Sequence, residues 1–266
     1  MNRSKFRIFL GKLYFTWRRY LRWVFNKSIK YATTTNIKTN LPYIVARHST
    51  PLYRNLRNVD MWLQENKVIN LRLAAKKING LILKPGETFS FWYLVGKPTK
   101  GKGFREGMVL TNGSFSPGVG GGLCQLSNLI YWIALHTSLT VTERWRHTHD
   151  VFPDVDRTQP FGSGATVVYN YIDLQIKNET PYNYQLLVWV EDLILQGEFR
   201  CEKECPFKFE VYQGDHLITH EWWGGYIRHN VIRRKVYDQG NNQIRDDLLT
   251  ENHAIMMYEP LLSGIN

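Results

Sequence analysis

Three consecutive glycines, Gly120-Gly121-Gly122, stand ahead of Leu123-Cys124-Gln125 and a run in which Leu126, Leu129, Ile130, Ile133 and Ala134 recur at helical spacing. A turn is normally met by one residue able to take positive φ, so a triple glycine removes side chains for a further purpose. It lets another group approach the backbone closely. The chain must therefore fold so that something lies hard against the start of this helix.

The segments around it read as mixed helix and strand. Residues 59–79 carry Val59, Trp62, Leu63, Val68, Ile69, Leu71, Leu73, Ala74, Ala75 and Ile78 among polar residues, a helix with a break expected near Asn66 and a stop at Gly80. Leu81-Ile82-Leu83 leads into a Pro85-Gly86 turn, and alternating Phe89, Phe91 and Tyr93 predict a strand over Thr88–Tyr93. Met108–Thr111 is a short strand running into the glycine turn, and Leu139–Trp145 alternates as another. Residues 165–177, 183–191 and 193–200 predict an antiparallel meander, followed by short strands at 207–212, 226–236 and 253–258 with a turn at Asp238–Asn241. The fold class is α+β, a central helix opened by a glycine-rich turn on a mostly antiparallel sheet, with a helical N-terminal region. The expected organisation is a basic arm and linker over 1–40, a helical segment over 41–83, a core over 84–200 and a β-rich extension of the same domain over 201–266.

With 43% hydrophobic and 14% aromatic residues the chain can bury a sizeable core, which excludes disorder as a whole. Its formal charge of +11 is unevenly placed: residues 1–60 hold thirteen Lys/Arg and one acid, Asp60, while the remainder holds 21 basic and 22 acidic residues. A neutral body lacks the spread of cations that phosphate tracking needs, so nucleic acid is disfavoured as a partner. A basic arm addresses an anionic surface. Phe6, Phe9, Leu10, Leu13, Trp17, Tyr20, Leu21 and Val24 recur at three- and four-residue steps among Arg7, Lys12, Arg18, Arg19 and Arg22, which points to an interfacial helix on an anionic membrane through residues 1–30. The alternative is a basic helix packed on its own domain. Lys12 and Arg18-Arg19 interrupt every window long enough to span, and no signal-peptide pattern fits. Cys124, Cys201 and Cys205 are too few for a disulfide framework, so the expected location is cytoplasmic, peripheral to the inner face of the membrane. Cys201-x-x-x-Cys205 lacks a second ligand pair at finger spacing, and neither a metal nor a cofactor is expected. The oligomeric state is not legible.

Cys124 in the first turn of its helix would meet unpaired amides and the positive end of the helix dipole, which favour a thiolate. Nucleophilic cysteines of papain-like and transglutaminase-like folds have this placement, with a histidine from a later strand as base. His147 and His149, two apart and thus on one side of an extended chain, are the candidates. Asp150, Asp154 or Asp173 would orient the imidazole, and Gln125 would donate to a developing oxyanion. The bland readings are a cysteine buried as a small core hydrophobe, surface histidines or, with Cys124, metal-ligating ones, and an Asp173 paired with Arg144 or Arg146. The first reading is a cysteine-dependent acyl-transfer or amide-hydrolysing enzyme using Cys124 with His147 or His149; a non-catalytic alternative uses Gly120, Gly121, Gly122 and Gln125 at the helix start, with Arg144, to cradle an anionic group.

The order Pro85-Gly86-Glu87-Thr88-Phe89-Ser90-Phe91, Gly120-Gly121-Gly122-Leu123-Cys124-Gln125-Leu126-Ser127, Glu143-Arg144 with His147, and Ala165-Thr166-Val167 leading to Asp173-Leu174 and Asn178 closely resembles the VanW domain across about residues 84–200. Gly225–Asn230 and the region near Tyr53-Arg54 are similar to the short, stand-alone members associated with B-type vancomycin resistance. The resemblance implies glycopeptide resistance and cell-wall biology, with a peptidoglycan precursor or peptide as partner, and supplies no reaction. Many relatives place Asp before Ala-Thr-Val, where this chain has Gly164. Longer relatives carry a membrane anchor and extracytoplasmic modules, neither of which is read here.

Overall fold

The computed structural model describes residues 5–53, 60–111, 113–151 and 159–260, so Val59, Arg54 and the candidate Asp154 lie outside the described residues. The elements run α1 (Lys5–Phe25), β1 (Lys30–Tyr31), β2 (Tyr43–Pro51), α2 (Met61–Ile78), β3 (Leu81–Leu83), β4 (Glu87–Ser90), α3 (Phe91–Val95), β5 (Glu106–Thr111), β6 (Ser114–Val119), α4 (Cys124–Leu135), β7 (Thr140–Glu143), β8 (His149–Asp150), β9 (Gln175–Lys177), β10 (Tyr184–Glu191), β11 (Ile194–Cys201), β12 (Lys208–His220), β13 (Tyr226–Tyr237) and β14 (Gln243–Met256). Three four-stranded sheets form, in the orders β1-β4-β9-β7, β2-β11-β10-β3 and β12-β13-β14-β8, beside a β5-β6 hairpin. All pairings are antiparallel except β1 with β4 and β14 with β8. The chain is α+β.

The core is where α2 and α4 meet the second sheet. Leu71, Ala74 and Ile78 of α2, Leu126, Leu129, Ile130 and Ile133 of α4, and Leu186, Leu195 and Phe199 of the strands are fully buried in one cluster. Each large apolar side chain so buried contributes about 1.5–3 kcal/mol before conformational entropy opposes it. Gly197 of β11 marks the crossing of α4 over the sheet, since a Cβ there would meet Leu129 at 3.1 Å. The helix α2 runs through Asn66 without a break, because Asn66 donates sideways to the Glu106 carbonyl at 2.9 Å instead of competing with its own backbone.

The expected strand over Thr88–Tyr93 ends early. Ser90 caps α3 by accepting from the Tyr93 amide, and the buried carboxylate of Asp173 accepts from the Trp92 amide at 3.0 Å. Those two acceptors turn Phe91–Tyr93 into a helix despite their alternating aromatics. The C-terminal strands are longer than expected, 13, 12 and 14 residues. Their sheet is fastened to the core by Asn230, which donates to the Phe161 carbonyl at 2.6 Å, and by Arg234, which donates to the carbonyls of Leu135 and Thr137 at 3.2 and 3.0 Å. A cation there satisfies orphan acceptors at the end of α4 and suits its dipole.

The N-terminal helix α1 docks on the core along one side. Arg19 is buried and donates both guanidinium nitrogens to Glu143, at 2.7 and 2.5 Å, with Asp173 4.0 Å away. Phe15 meets the Tyr171 ring at 5.0 Å, Trp23 meets Tyr93 at 5.4 Å, and the hydroxyls of Tyr20 and Tyr169 touch. In the same seam the Trp23 indole nitrogen and the Tyr31 hydroxyl are buried without a hydrogen-bond partner among the described residues. Each such group costs about 1–3 kcal/mol, so the attachment depends on Arg19 and the ring contacts. No helix among the described residues is long and apolar enough to cross a membrane.

Candidate functional site

At the start of α4 each glycine is matched to a neighbour. A Cβ on Gly121 would collide with the Gly107 carbonyl of β5, one on Gly122 with the side chain of Lys67, and one on Gly120 would lie 2.7 Å from Pro98. Gly120 and Gly122 also take φ of +79° and +88°. The buried amide of Asn70 locks the turn, donating to the Gly121 and Arg105 carbonyls at 2.9 and 3.0 Å and accepting from the Arg105 amide at 2.8 Å. The close approach that the triple glycine demands is thus made by the protein's own β5, α2 and the segment before β5. Gln125 is turned to β2, donating to Thr50 and to the Pro51 carbonyl at 3.1 and 2.8 Å.

The Ala165-Thr166-Val167 segment lies along the first turn of α4. Cys124 Sγ donates to the Val167 carbonyl at 3.7 Å, Ser127 donates to the Ala165 carbonyl at 2.6 Å, and Asn128 accepts from the Ala165 amide at 2.7 Å. Burial pushes the Cys124 thiol up, more than the hydrogen bonds to backbone lower it. Among the described residues no histidine is hydrogen-bonded to this sulfur. His147 is half-buried and held below the usual histidine range by burial first and then by Arg146 and His149. His149 pairs with the Thr148 hydroxyl at 2.9 Å in β8 and lies beside Gly113 at the β5-β6 turn. Asp150 accepts from the Tyr258 hydroxyl at 2.8 Å and pairs with Arg228.

Asp173 serves a different seam. Fully buried, it accepts from Ser90 at 2.5 Å, the Trp92 and Leu174 amides at 3.0 Å each, and Gln175 at 3.2 Å. Burial raises its carboxyl, while the hydrogen bonds from Ser90 and Trp92 and the charge of Arg19 pull it back. Its cation is therefore Arg19 of α1, not Arg144 or Arg146. Arg144 donates to the carbonyls of Gly162 and Gly164 and to Thr250 and Asn252, and stacks over Tyr131 at 5.1 Å. It ties the core to β14.

The other end of α4 is open. A cleft of about 490 Å³ lies between β2, α4 and the start of β12, lined by Arg47, His48, Trp132, His136, Phe207 and Lys208 among others. Gln159 donates to His48 Nε2 at 2.8 Å, and His136 donates from Nδ1 to the Trp132 carbonyl at 2.9 Å, which leaves its Nε2 as an acceptor. Burial lowers both imidazoles, aided at His48 by His136 and at His136 by Arg234. Two cations share the lining: Arg47 is paired with Glu198 at 2.5 Å, and Lys208 donates to Asn241 at 2.7 Å.

The family model described as VanW like protein matches residues 66–200. The vancomycin B-type resistance protein VanW of Enterococcus faecalis is 36% identical over 236 residues, 89% of this chain and 85% of that protein. The chain belongs to the VanW family. An uncharacterized protein, YoaR of Bacillus subtilis, is 36% identical over 119 residues, which are 45% of this chain and 37% of that protein. No solved structure matches. The VanW match spans α4 and its glycine turn, whereas β2 and β12, two walls of the cleft, lie outside residues 66–200. The cleft was not legible in the sequence: His48, Trp132 and His136 belong to no motif, and their neighbourhood is set by how β12 returns to α4. In this VanW-family chain a Cβ at Gly164 would lie 2.9 Å from Asn128 Oδ1, so a side chain there would have to displace the Asn128 amide.

Proposed function

We propose that this protein serves glycopeptide resistance and cell-wall metabolism as a non-catalytic accessory module, binding an anionic peptidoglycan precursor in the cleft between β2, α4 and β12. The observation that carries the non-catalytic part is the Cys124 sulfur, which donates to the Val167 carbonyl at 3.7 Å and whose pKa its surroundings raise instead of lowering. The placement of the ligand rests on the cleft: an indole and two imidazoles suit the flat face of a sugar or peptide unit, and its carboxylate or phosphate would compete with Glu198 for Arg47 and with Asn241 for Lys208. The link to vancomycin resistance comes from the Enterococcus relative's name. The reading puts the protein at the inner face of the membrane.

Titration with a UDP-linked muramyl pentapeptide, followed by calorimetry, tests it. Saturable binding that Trp132→Ala weakens at least tenfold is the expected result; binding unchanged by that substitution would discard the cleft. A second reading is favoured by the position of Cys124 as the first residue of a twelve-residue helix. In it the Cys124 thiol attacks an amide carbonyl carbon and forms a thioester as the C–N bond breaks, His147 or His149 takes the thiol proton and passes it to the departing amine, and water or a second amine then releases the acyl group. Rapid alkylation of Cys124 at neutral pH, together with turnover of peptidoglycan fragments that Cys124→Ser abolishes, would replace the binding reading with this one.

A further inference from the structure

Docking leaves most of α1 uncovered. On a helical wheel Phe6, Phe9, Leu10, Leu13, Trp17, Leu21 and Val24 share one arc, and they are exposed, with Phe6 at 69%, Trp17 at 60% and Val24 at 69%. Arg19 and Trp23 lie on the docked side, where Arg22 also reaches Glu143 at 3.9 Å, while Arg18 borders one edge of the apolar arc and exposed Lys12 lies toward the other. The helix contains no acidic residue. An exposed apolar face of this size on a cationic helix needs a partner, and its charge selects one.

We propose that α1 is a fixed membrane-docking blade: it lies flat in an anionic leaflet and, held by Arg19 to Glu143 and Asp173, sets the orientation of the whole body on that surface. The choice of lipid over protein follows from charge complementarity and from exposed Tyr14 and Trp17, whose amphipathic rings favour the level of the headgroups. Because the seam joins α1 to the turn carrying Tyr169 and Tyr171, the leaflet is brought against that turn. Val168 and Tyr171 are exposed there, at 42% and 43%. A free arm would tether the body; a clamped helix aims it.

The full chain is to be sedimented with vesicles of phosphatidylglycerol and phosphatidylcholine, and with phosphatidylcholine alone. Partition onto the anionic vesicles should be at least tenfold stronger and should fall about tenfold between 0.1 and 0.5 M salt. Leu13→Glu with Trp17→Glu, both at exposed positions, should abolish it while circular dichroism stays unchanged; should that pair alter the fold, Trp17→Ala with Leu21→Ala is the substitute. No binding by the native chain, or equal binding by the face variant, overturns the proposal. So does a dimer without vesicles that the face variant converts to monomer, because the face would then be an interface between copies. The clamp has its own readout. Hydrogen exchange over residues 168–173 should slow on vesicle binding in the native chain and not in Arg19→Met, which keeps the face but loses the lock. Equal slowing in both would leave a tether and remove the fixed orientation.

Discussion

The two ends of α4 are built on opposite plans. At its start the glycine turn, Cys124, Ser127 and Asn128 are packed and hydrogen-bonded against β5, α2 and the Ala165–Val167 segment. At its finish Trp132 and His136 face a cleft whose other walls come from β2 and β12. The start carries the glycine and cysteine motif, while Trp132 and His136 at the finish, though within residues 66–200, belong to no such run. A dense motif can therefore record close packing as readily as an open site, because glycine is required wherever two backbones touch.

The largest effect that would sharpen this contrast is Gly121→Ala. A methyl there collides with the Gly107 carbonyl, so we expect a loss of about 3 kcal/mol or more and thermal unfolding lowered by roughly 6–12 °C, whereas Gly101→Ala, with nothing within 4 Å, should change little. A Gly121→Ala protein as stable as the native one would mean that the turn has room for a ligand after all. Next comes Trp132→Ala, expected to weaken binding of the muramyl pentapeptide at least tenfold, about 1.4 kcal/mol, with the melting point shifted less than by Gly121→Ala. Calorimetry and a thermal melt on one preparation separate the two.

Cys124→Ala should cost only about 1 kcal/mol, the scale of a lost buried thiol and its weak hydrogen bond. In the native protein the same thiol should resist iodoacetamide at pH 7 and react once denaturant is added. Fast labelling of the folded protein would break the contrast by making the closed end reactive. The smallest expected effect is acid sensitivity at the open end. Burial holds His48 and His136 below their unfolded value of about 6.5, so on acidification the unfolded chain takes up protons first. Their contribution is complete above that pH and is lost as pH falls through the folded values. His48→Gln with His136→Gln should spare about 1–2 °C of the drop in melting temperature between pH 7 and 5.

Much of the architecture was legible in the residues. The apolar spacing of Leu126 to Ala134 predicts α4, the Asp238–Asn241 segment predicts the β13-β14 turn, and the Val- and Leu-rich runs predict β10 and β11. Phe91–Tyr93 was misread, because the acceptors that make it helical are Ser90 nearby and Asp173 some eighty residues away. Asp173 itself was legible as a carboxylate in need of a partner, but the partner proved to be Arg19 on α1, beyond any local pattern. The basic arm was legible as amphipathic. Its division into one docked side and one exposed side was not.

What the amino-acid order determined alone is local: periodicity fixes which segments become helix or strand, and glycine at 120–122 requires that something approach closely there. Tertiary structure decided what approaches, which charges meet and which surfaces stay uncovered. The physical reason is range. Dihedral preference and side-chain period act over a few residues, whereas the pairing of Arg19 with Glu143, and of Cys124 with Val167, is chosen by the packing of segments far apart in the chain.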